Sequence, residues 1–225
     1  MNEAGNWCEK TLKYQFSDSE LLTRALMHSS AAADNNERLE FLGDAVLDLV
    51  ISLHLYADKP TVREGGLSRY RAELVRKESL VKLAGTIELA PHIILGSGEQ
   101  RSGGRYRDSV MANALEAVFG AILLDGGFDA ANRVILELFQ DRLATLPDEE
   151  ELKDAKTRLQ EYLQARKSPP PEYNLLGVTG AAHEQTFEVA CHIATSDIAT
   201  TATGSSRRRA EQAAASLALD ACASD

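Results

Sequence analysis

The sequence is short of cysteine, of basic charge and of long apolar runs, and each shortage closes off a class of protein. Its three cysteines, Cys8, Cys191 and Cys222, are odd in number and far apart. They form neither a disulfide framework nor a zinc-ligand spacing, which suits a reducing cytoplasm. The longest uncharged apolar run, Ala117 to Leu124, is far too short to span a bilayer, so no membrane partner is expected. The opening MNEAGNW has no basic n-region and no apolar h-region, so no secretory leader is expected. Acidic residues number 34 against 24 basic ones, a net charge of −10. On bulk charge alone, a nucleic-acid partner is disfavoured.

What is present suffices for a packed core. The chain has 225 residues, 44% of them hydrophobic, enough for one large domain or two modest ones. Charged residues at 26% argue against wholesale disorder. Residues 1–150 hold 24 acids and 16 bases, whereas 151–225 hold 10 and 8. Between them, Leu146-Pro147-Asp148-Glu149-Glu150-Glu151 joins a helix-breaking proline to an acidic run. It reads as a linker over 148–153, or as a solvated loop within one domain. The domains expected are then 1–147 and 154–225.

The first part is patterned as helix almost throughout. Ser17-Asp18-Ser19-Glu20 carries a capping-box signature, and helical stretches follow over roughly 36–57, 67–89, 109–124 and 128–145. After the linker, a helix over about 154–166 ends at Ser168-Pro169-Pro170-Pro171. Strands are expected at Glu172–Val178, Thr186–Ala194 and Ile198–Thr203, then an alanine-rich helix capped by Ser205 or Ser206. The expected fold is a mainly α N-terminal domain followed by an α-β-β-β-α module of the α+β class. There is no internal repeat.

One helix carries an unusual row of acids. At about 100° per residue, Glu37, Glu40, Asp44 and Asp48 share an arc about 80° wide. Leu39, Leu42, Val46, Leu49, Val50 and Leu53 fall on the opposite side, which predicts a buried apolar face and an outward row of carboxylates. The row could be a plain solvated face. Against that, Glu40, Asp44 and Asp48 are successive i,i+4 like charges with no Lys or Arg at those spacings. A hard divalent cation with oxygen ligands would relieve them. Phe41 lies on the charged side, either as a partner surface or tucked beneath a loop.

A second helix, Ser109 to Leu124, is apolar nearly all round, with Glu116 its only charge and Asn113 one turn earlier. A buried carboxylate must be paired, hydrogen-bonded or metal-bound, so Glu116 either meets a distant arginine or shares a metal site with the acid row. The intervening Gly96–Arg107 stretch is neither a Walker loop nor a dinucleotide fingerprint. With Arg101, Arg105 and Arg107 it could follow a phosphate backbone or be a flexible connector.

Asn36-Glu37-Arg38-Leu39-Glu40-Phe41-Leu42-Gly43-Asp44-Ala45-Val46-Leu47 closely resembles the signature of bacterial ribonuclease III. The likeness continues through Glu64–Ser68, Leu95–Glu99 and Ala112–Ala117. Residues 156–164 and 204–211 resemble a double-stranded-RNA-binding domain. The resemblance implies an endonuclease domain that works as a homodimer and cuts duplex RNA with magnesium, with manganese able to substitute. Its products would carry 5′-phosphates, 3′-hydroxyls and two-nucleotide 3′ overhangs, with ribosomal and messenger RNA precursors as substrates. By motif, Glu40, Asp44 and Glu116 match the metal-site acids, Asp44 and Glu116 also as catalytic residues. Glu37 and Glu64 match further acids of the cleavage region, and Phe41 matches an aromatic that enters a pocket of the partner subunit. Many members carry aspartate where this chain has Asn113, which could ligate through its carbonyl oxygen or act behind the ligands. A catalytically silent RNA-binding dimer is the alternative that Asn113 favours. Hydrolysis by divalent ions needs no histidine base, so His28, His54 and His92 are read as structural or surface residues.

For the C-terminal module, the resemblance implies that Thr157, Gln160, Glu161 and Gln164 face one minor groove of the duplex and the loop at His183 enters the next. Arg207, Arg208 and Arg209 would meet phosphates at the start of the last helix, where free N–H groups and the helix dipole already favour anions. Some relatives carry lysine where this chain has Glu211, which implies a smaller phosphate clamp.

Overall fold

The computed structural model describes residues 3–181, 184–196 and 198–224. They form two compact units, divided between Leu146 and Pro147.

The first unit is helical. Its elements are α1 (Glu3–Leu12), α2 (Ser19–Ala25), α3 (Glu37–Asp58), α4 (Glu64–Val75), α5 (Lys77–Thr86), α6 (Ser97–Arg101) and α7 (Asp108–Ala144). Short 3-10 turns lie at Ala90–His92 and Gly104–Tyr106. The stretch expected as one helix over 67–89 is two, because Arg76 is extended at φ −58°, ψ 151°. Asp18 caps α2 by accepting from the Glu20 N–H. Helix α1 lies outside the expected elements; it buries Trp7, Cys8 and Leu12, and the Trp7 indole donates to the Ile87 carbonyl at 2.7 Å.

Helix α7 is the spine. By length and apolarity alone it would suit a bilayer, yet Leu115, Val118, Phe119 and Ile122 are the buried centre of this unit. Gly127, at φ 77°, breaks it into the two stretches that the sequence pattern separates. Just before the break, Asp125 accepts from the Tyr14 hydroxyl at 2.6 Å and from the N–H groups of Ser17 and Asp18 at 2.9 and 2.8 Å. That carboxylate pins the α1–α2 connection to the spine. The expected Gly96–Arg107 loop is ordered instead: it contains α6 and a 3-10 turn, tied by an Arg107–Glu99 ion pair and by Arg105 donating to the Pro91 carbonyl.

The second unit contains α8 (Glu149–Leu152), α9 (Ala155–Ala165), β1 (Glu172–Thr179), β2 (Thr186–His192), β3 (Ala199–Gly204) and α10 (Arg207–Ser224). The strands pair antiparallel in the order β1-β2-β3, with a register shift between Leu175 and Gly177. Leu159, Leu163, Cys191, Ile193, Ala214, Ala215 and Ala218 form the core beneath the two long helices. Alanine dominates α10 because it must lie close against the sheet. The Ser206 hydroxyl caps α10 by accepting from the Arg209 N–H at 3.2 Å.

Candidate active site

Helices α3 and α7 cross with almost no space between their backbones. A β-carbon on Gly43 would sit 1.7 Å from the Glu116 carbonyl oxygen, and one on Gly120 would sit 2.2 Å from that of Leu39. Only two glycines facing each other permit this approach. The crossing is the physical reason that Glu40 and Asp44, on one helix, meet Glu116 on the other.

They meet at a cavity of about 600 Å³ whose walls include Glu37, Glu40, Asp44, Asn113 and Glu116. Burial pushes the Glu116 carboxyl up to about 7, and the charges of Asp44, Glu40 and Asp48 push it the same way. Lys77 opposes them weakly. Burial also raises the Glu40 carboxyl above its ordinary value; a hydrogen bond from Asn113 lowers it and the charges of Glu37 and Asp44 raise it. The Asn113 amide therefore faces Glu40 as a donor, where an aspartate would add a further negative charge.

Among the described residues, no three His, Cys, Asp or Glu side chains are gathered closely enough to cage an ion by themselves. The donor set still fits a hard divalent cation, which accepts oxygen ligands and retains water to complete its shell. Oxygen donors are all that the acids and Asn113 offer, and their mutual repulsion is what a cation would relieve.

The acid row differs from the helical-wheel expectation. Leu49, Leu53 and Tyr56 are half-exposed or more, while Leu39, Leu47, Val50, Ile51 and Leu55 are buried. The buried arc of α3 thus includes Leu39, Val46 and Val50 opposite the acids and extends through Leu47, Ile51 and Leu55 to adjoin the carboxylates, which explains why Glu40 and Asp48 are partly desolvated. Relief for Asp48 also exists off the helix, because Arg71 of α4 lowers its otherwise raised carboxyl. Arg71 is fixed by donating to Ser52 Oγ at 3.0 Å.

Glu64 is not brought to this cavity. It begins α4, accepts from Ser68 Oγ at 3.0 Å and lines a separate cleft with Ser52, Tyr56 and Arg71. His28 and Asn36 do line the acid cavity. His28 Nδ1 accepts the Ser30 N–H at 3.1 Å, and a positive charge on the ring lowers the Glu40 carboxyl. Its placement depends on the Met27–Ile94 bridge between distant segments, so no local pattern marks it. Gly43 and Gly120 do have a local signal: each is a glycine in the interior of a helix, costing about 1 kcal/mol against alanine.

Phe41 is 79% exposed and so is not tucked beneath a loop. Beside it lies a hollow of about 650 Å³ lined in part by Leu42 and Leu124.

A family model described as Ribonuclease-III-like matches residues 18–143, more than half of the chain. The chain belongs to the ribonuclease III family. A second model, the double-stranded RNA binding motif, matches residues 155–221. Ribonuclease 3 of Dechloromonas aromatica is 54% identical over 210 residues, 93% of this chain and 95% of that protein. Ribonuclease 3 of Vibrio atlanticus is 46% identical over 98% of both chains. Among solved structures, the nuclease domain of Campylobacter jejuni ribonuclease III, described with a flexible region involved in dimer formation, superposes with a TM-score of 0.60. It is 42% identical and covers 61% of this chain and 97% of its own.

Beyond the ribonuclease III nuclease domain, Thr157, Gln160, Glu161 and Gln164 share one face of α9, opposite buried Leu159 and Leu163. Glu161 holds Lys153 at 2.5 Å, and Asp154 caps the helix by accepting from the Thr157 N–H at 2.9 Å. Arg207, Arg208 and Arg209 are exposed at the start of α10. His183 lies outside the described residues.

Proposed function

We propose that this endoribonuclease hydrolyses phosphodiesters of double-stranded RNA, using Glu40, Asp44, Asn113 and Glu116 to hold Mg2+, for which Mn2+ can substitute. The observation that carries the reading is the convergence of these groups in one cavity, with the Glu116 carboxyl pushed up to about 7 by burial and neighbouring acids. Bound there, one or two divalent ions supply an activated water, charge neutralisation at phosphorus and a stabilised leaving oxygen. Asn113 holds Glu40 by its amide and keeps one charge fewer in the cluster. Glu37, on the wall of the acid cavity, and Glu64, from its separate cleft, are further acids of the cleavage region. The products carry 5′-phosphates, 3′-hydroxyls and two-nucleotide 3′ overhangs.

The working unit is a homodimer in the cytoplasm, processing ribosomal and messenger RNA precursors. Phe41 and its adjacent hollow are a ridge and socket that two copies can fill reciprocally about a twofold axis. Phe41→Ala is expected to weaken the dimer by about a hundredfold or more, the loss typical of a buried aromatic anchor. Sedimentation velocity across a dilution series would read this, and an unchanged dimer would remove Phe41 from the interface. Residues 148–153 connect the nuclease unit to a module that grips the duplex through Thr157, Gln160, Glu161 and Gln164, the His183 loop, and Arg207, Arg208 and Arg209.

Incubation with a long RNA duplex tests the reading. With magnesium, internal cuts with 5′-phosphate ends are expected; with EDTA, binding should persist and cutting cease. Asn113 is the feature that favours a silent RNA-binding dimer, and binding without cleavage in magnesium would establish that instead.

A further inference from the structure

The C-terminal module presents fewer available cations than its sequence suggests, because one carboxylate occupies two of them. Glu211 lies in the second turn of α10 and is almost enclosed, its side chain only 13% exposed. Its Oε2 meets Lys156 Nζ at 2.6 Å and its Oε1 meets Arg207 Nε at 2.9 Å. Lys156 is further held 4.2 Å above the Tyr173 ring, while its backbone N–H donates to Gln212 Oε1 at 3.1 Å. A hydrogen bond from the Lys156 ammonium, and after it one from the Arg207 guanidinium, keeps the Glu211 carboxyl below its usual range against the opposing effect of burial.

Two oxygens bridging a lysine and an arginine near a helix N-terminus reproduce how a phosphate would be held at the same place. We infer that Glu211 is an internal competitor for the RNA backbone, which sets the affinity and salt dependence of duplex binding by occupying Lys156 and Arg207. The inference rests on the duplex-binding reading of this module. A phosphate reaches Lys156 Nζ and Arg207 Nε only by displacing the carboxylate, and at the remaining donors it meets the carboxylate's repulsion, whereas Arg208 and Arg209 are exposed for contact. Lower affinity of this kind would suit an enzyme that must release its cut products.

Glu211→Gln tests this in the full chain, since the amide keeps the shape and removes the charge. In divalent-free buffer, binding to an RNA duplex should tighten by about fivefold or more at low salt, and the slope of log affinity against log salt should steepen by about one phosphate contact. Glu211→Asp, which keeps the charge but is too short to bridge both cations, should fall between the two. Unchanged or weaker binding by folded Glu211→Gln overturns the inference and makes Glu211 a positioning residue for Lys156. If Glu211→Gln does not fold, the Asp variant decides by the same criterion. Failure of the unsubstituted chain to bind the duplex would overturn the underlying reading as well, whereas normal binding with indifferent variants sinks this inference alone.

Discussion

Glu116→Gln is expected to abolish cleavage while making the metal-free protein more stable. The two effects share one cause. Glu116 sits in the cavity with Asp44 and Glu40 near it, and burial with their charge pushes its carboxyl up to about 7. The folded state therefore binds this proton more tightly than the unfolded chain, whose glutamate titrates near its ordinary value of 4.5. Stability from this group is fully present below about pH 4.5 and declines as pH rises towards 7, because the folded protein must then carry an unfavourable charge. Glutamine carries none. At pH 8 without divalent ions, the variant should exceed the unsubstituted protein by about 1–2 kcal/mol after discounting for solvent screening, or a rise in Tm of about 3–6 °C. At pH 4 the two should coincide.

Saturating magnesium should reverse the order, since ligand binding stabilises the protein that binds it. Cleavage by Glu116→Gln should fall by about a thousandfold or more, the scale of several kcal/mol of lost charge stabilisation. Duplex binding by residues 155–221 should survive. Thermal melts at the two pH values, with and without magnesium, separate the contributions. A variant that cuts normally would take Glu116 out of the mechanism, and one less stable than its parent at pH 8 without metal would show that its charge is not a burden.

How far the sequence foretells this site depends on which contacts are local. The carboxylates are legible because like charges at i,i+4 on one helix, and a lone acid on an apolar helix, are visible as patterns. The α-β-β-β-α order is legible for the same reason: periodicity and turn residues are short-range. Arg71 beside Asp48 is not, since it arrives from α4. Nor is the ordering of Gly96–Arg107, which depends on Arg105 reaching the Pro91 carbonyl. The direction of the buried face on α3 is harder still. Its apolar residues serve two surfaces, Leu47 and Ile51 in the core but Leu49 and Leu53 half-exposed. A wheel counts both sets alike, so its apparent centre falls between the core and the exposed face.

The same limit gives the glycines their force, because an identical substitution should act in opposite directions at two helical positions. At Gly85, near the end of α5, an added β-carbon meets nothing within 4 Å. Gly85→Ala should therefore stabilise by about 0.5–1 kcal/mol through lower unfolded-state entropy. At Gly43, the added carbon meets backbone on another helix at 1.7 Å, which no side-chain rotation can clear. Helices α3 and α7 must separate, and the interface they lose is the centre of the unit, including Leu39, Leu47 and Leu115. Gly43→Ala should cost about 4 kcal/mol or more, beyond the ordinary range for overpacking because backbone is the obstacle. Whatever remains folded at low temperature should cut at least about a hundredfold more slowly, since Glu40 and Asp44 shift relative to Glu116 on the scale of an ångström. Duplex binding through the second unit should persist, so a paired melt and binding assay distinguishes a displaced site from a lost protein. Equal stability of Gly43→Ala and its parent would mean that the two helices do not cross at this glycine, and the common cavity for Glu40, Asp44 and Glu116 would lose its structural basis.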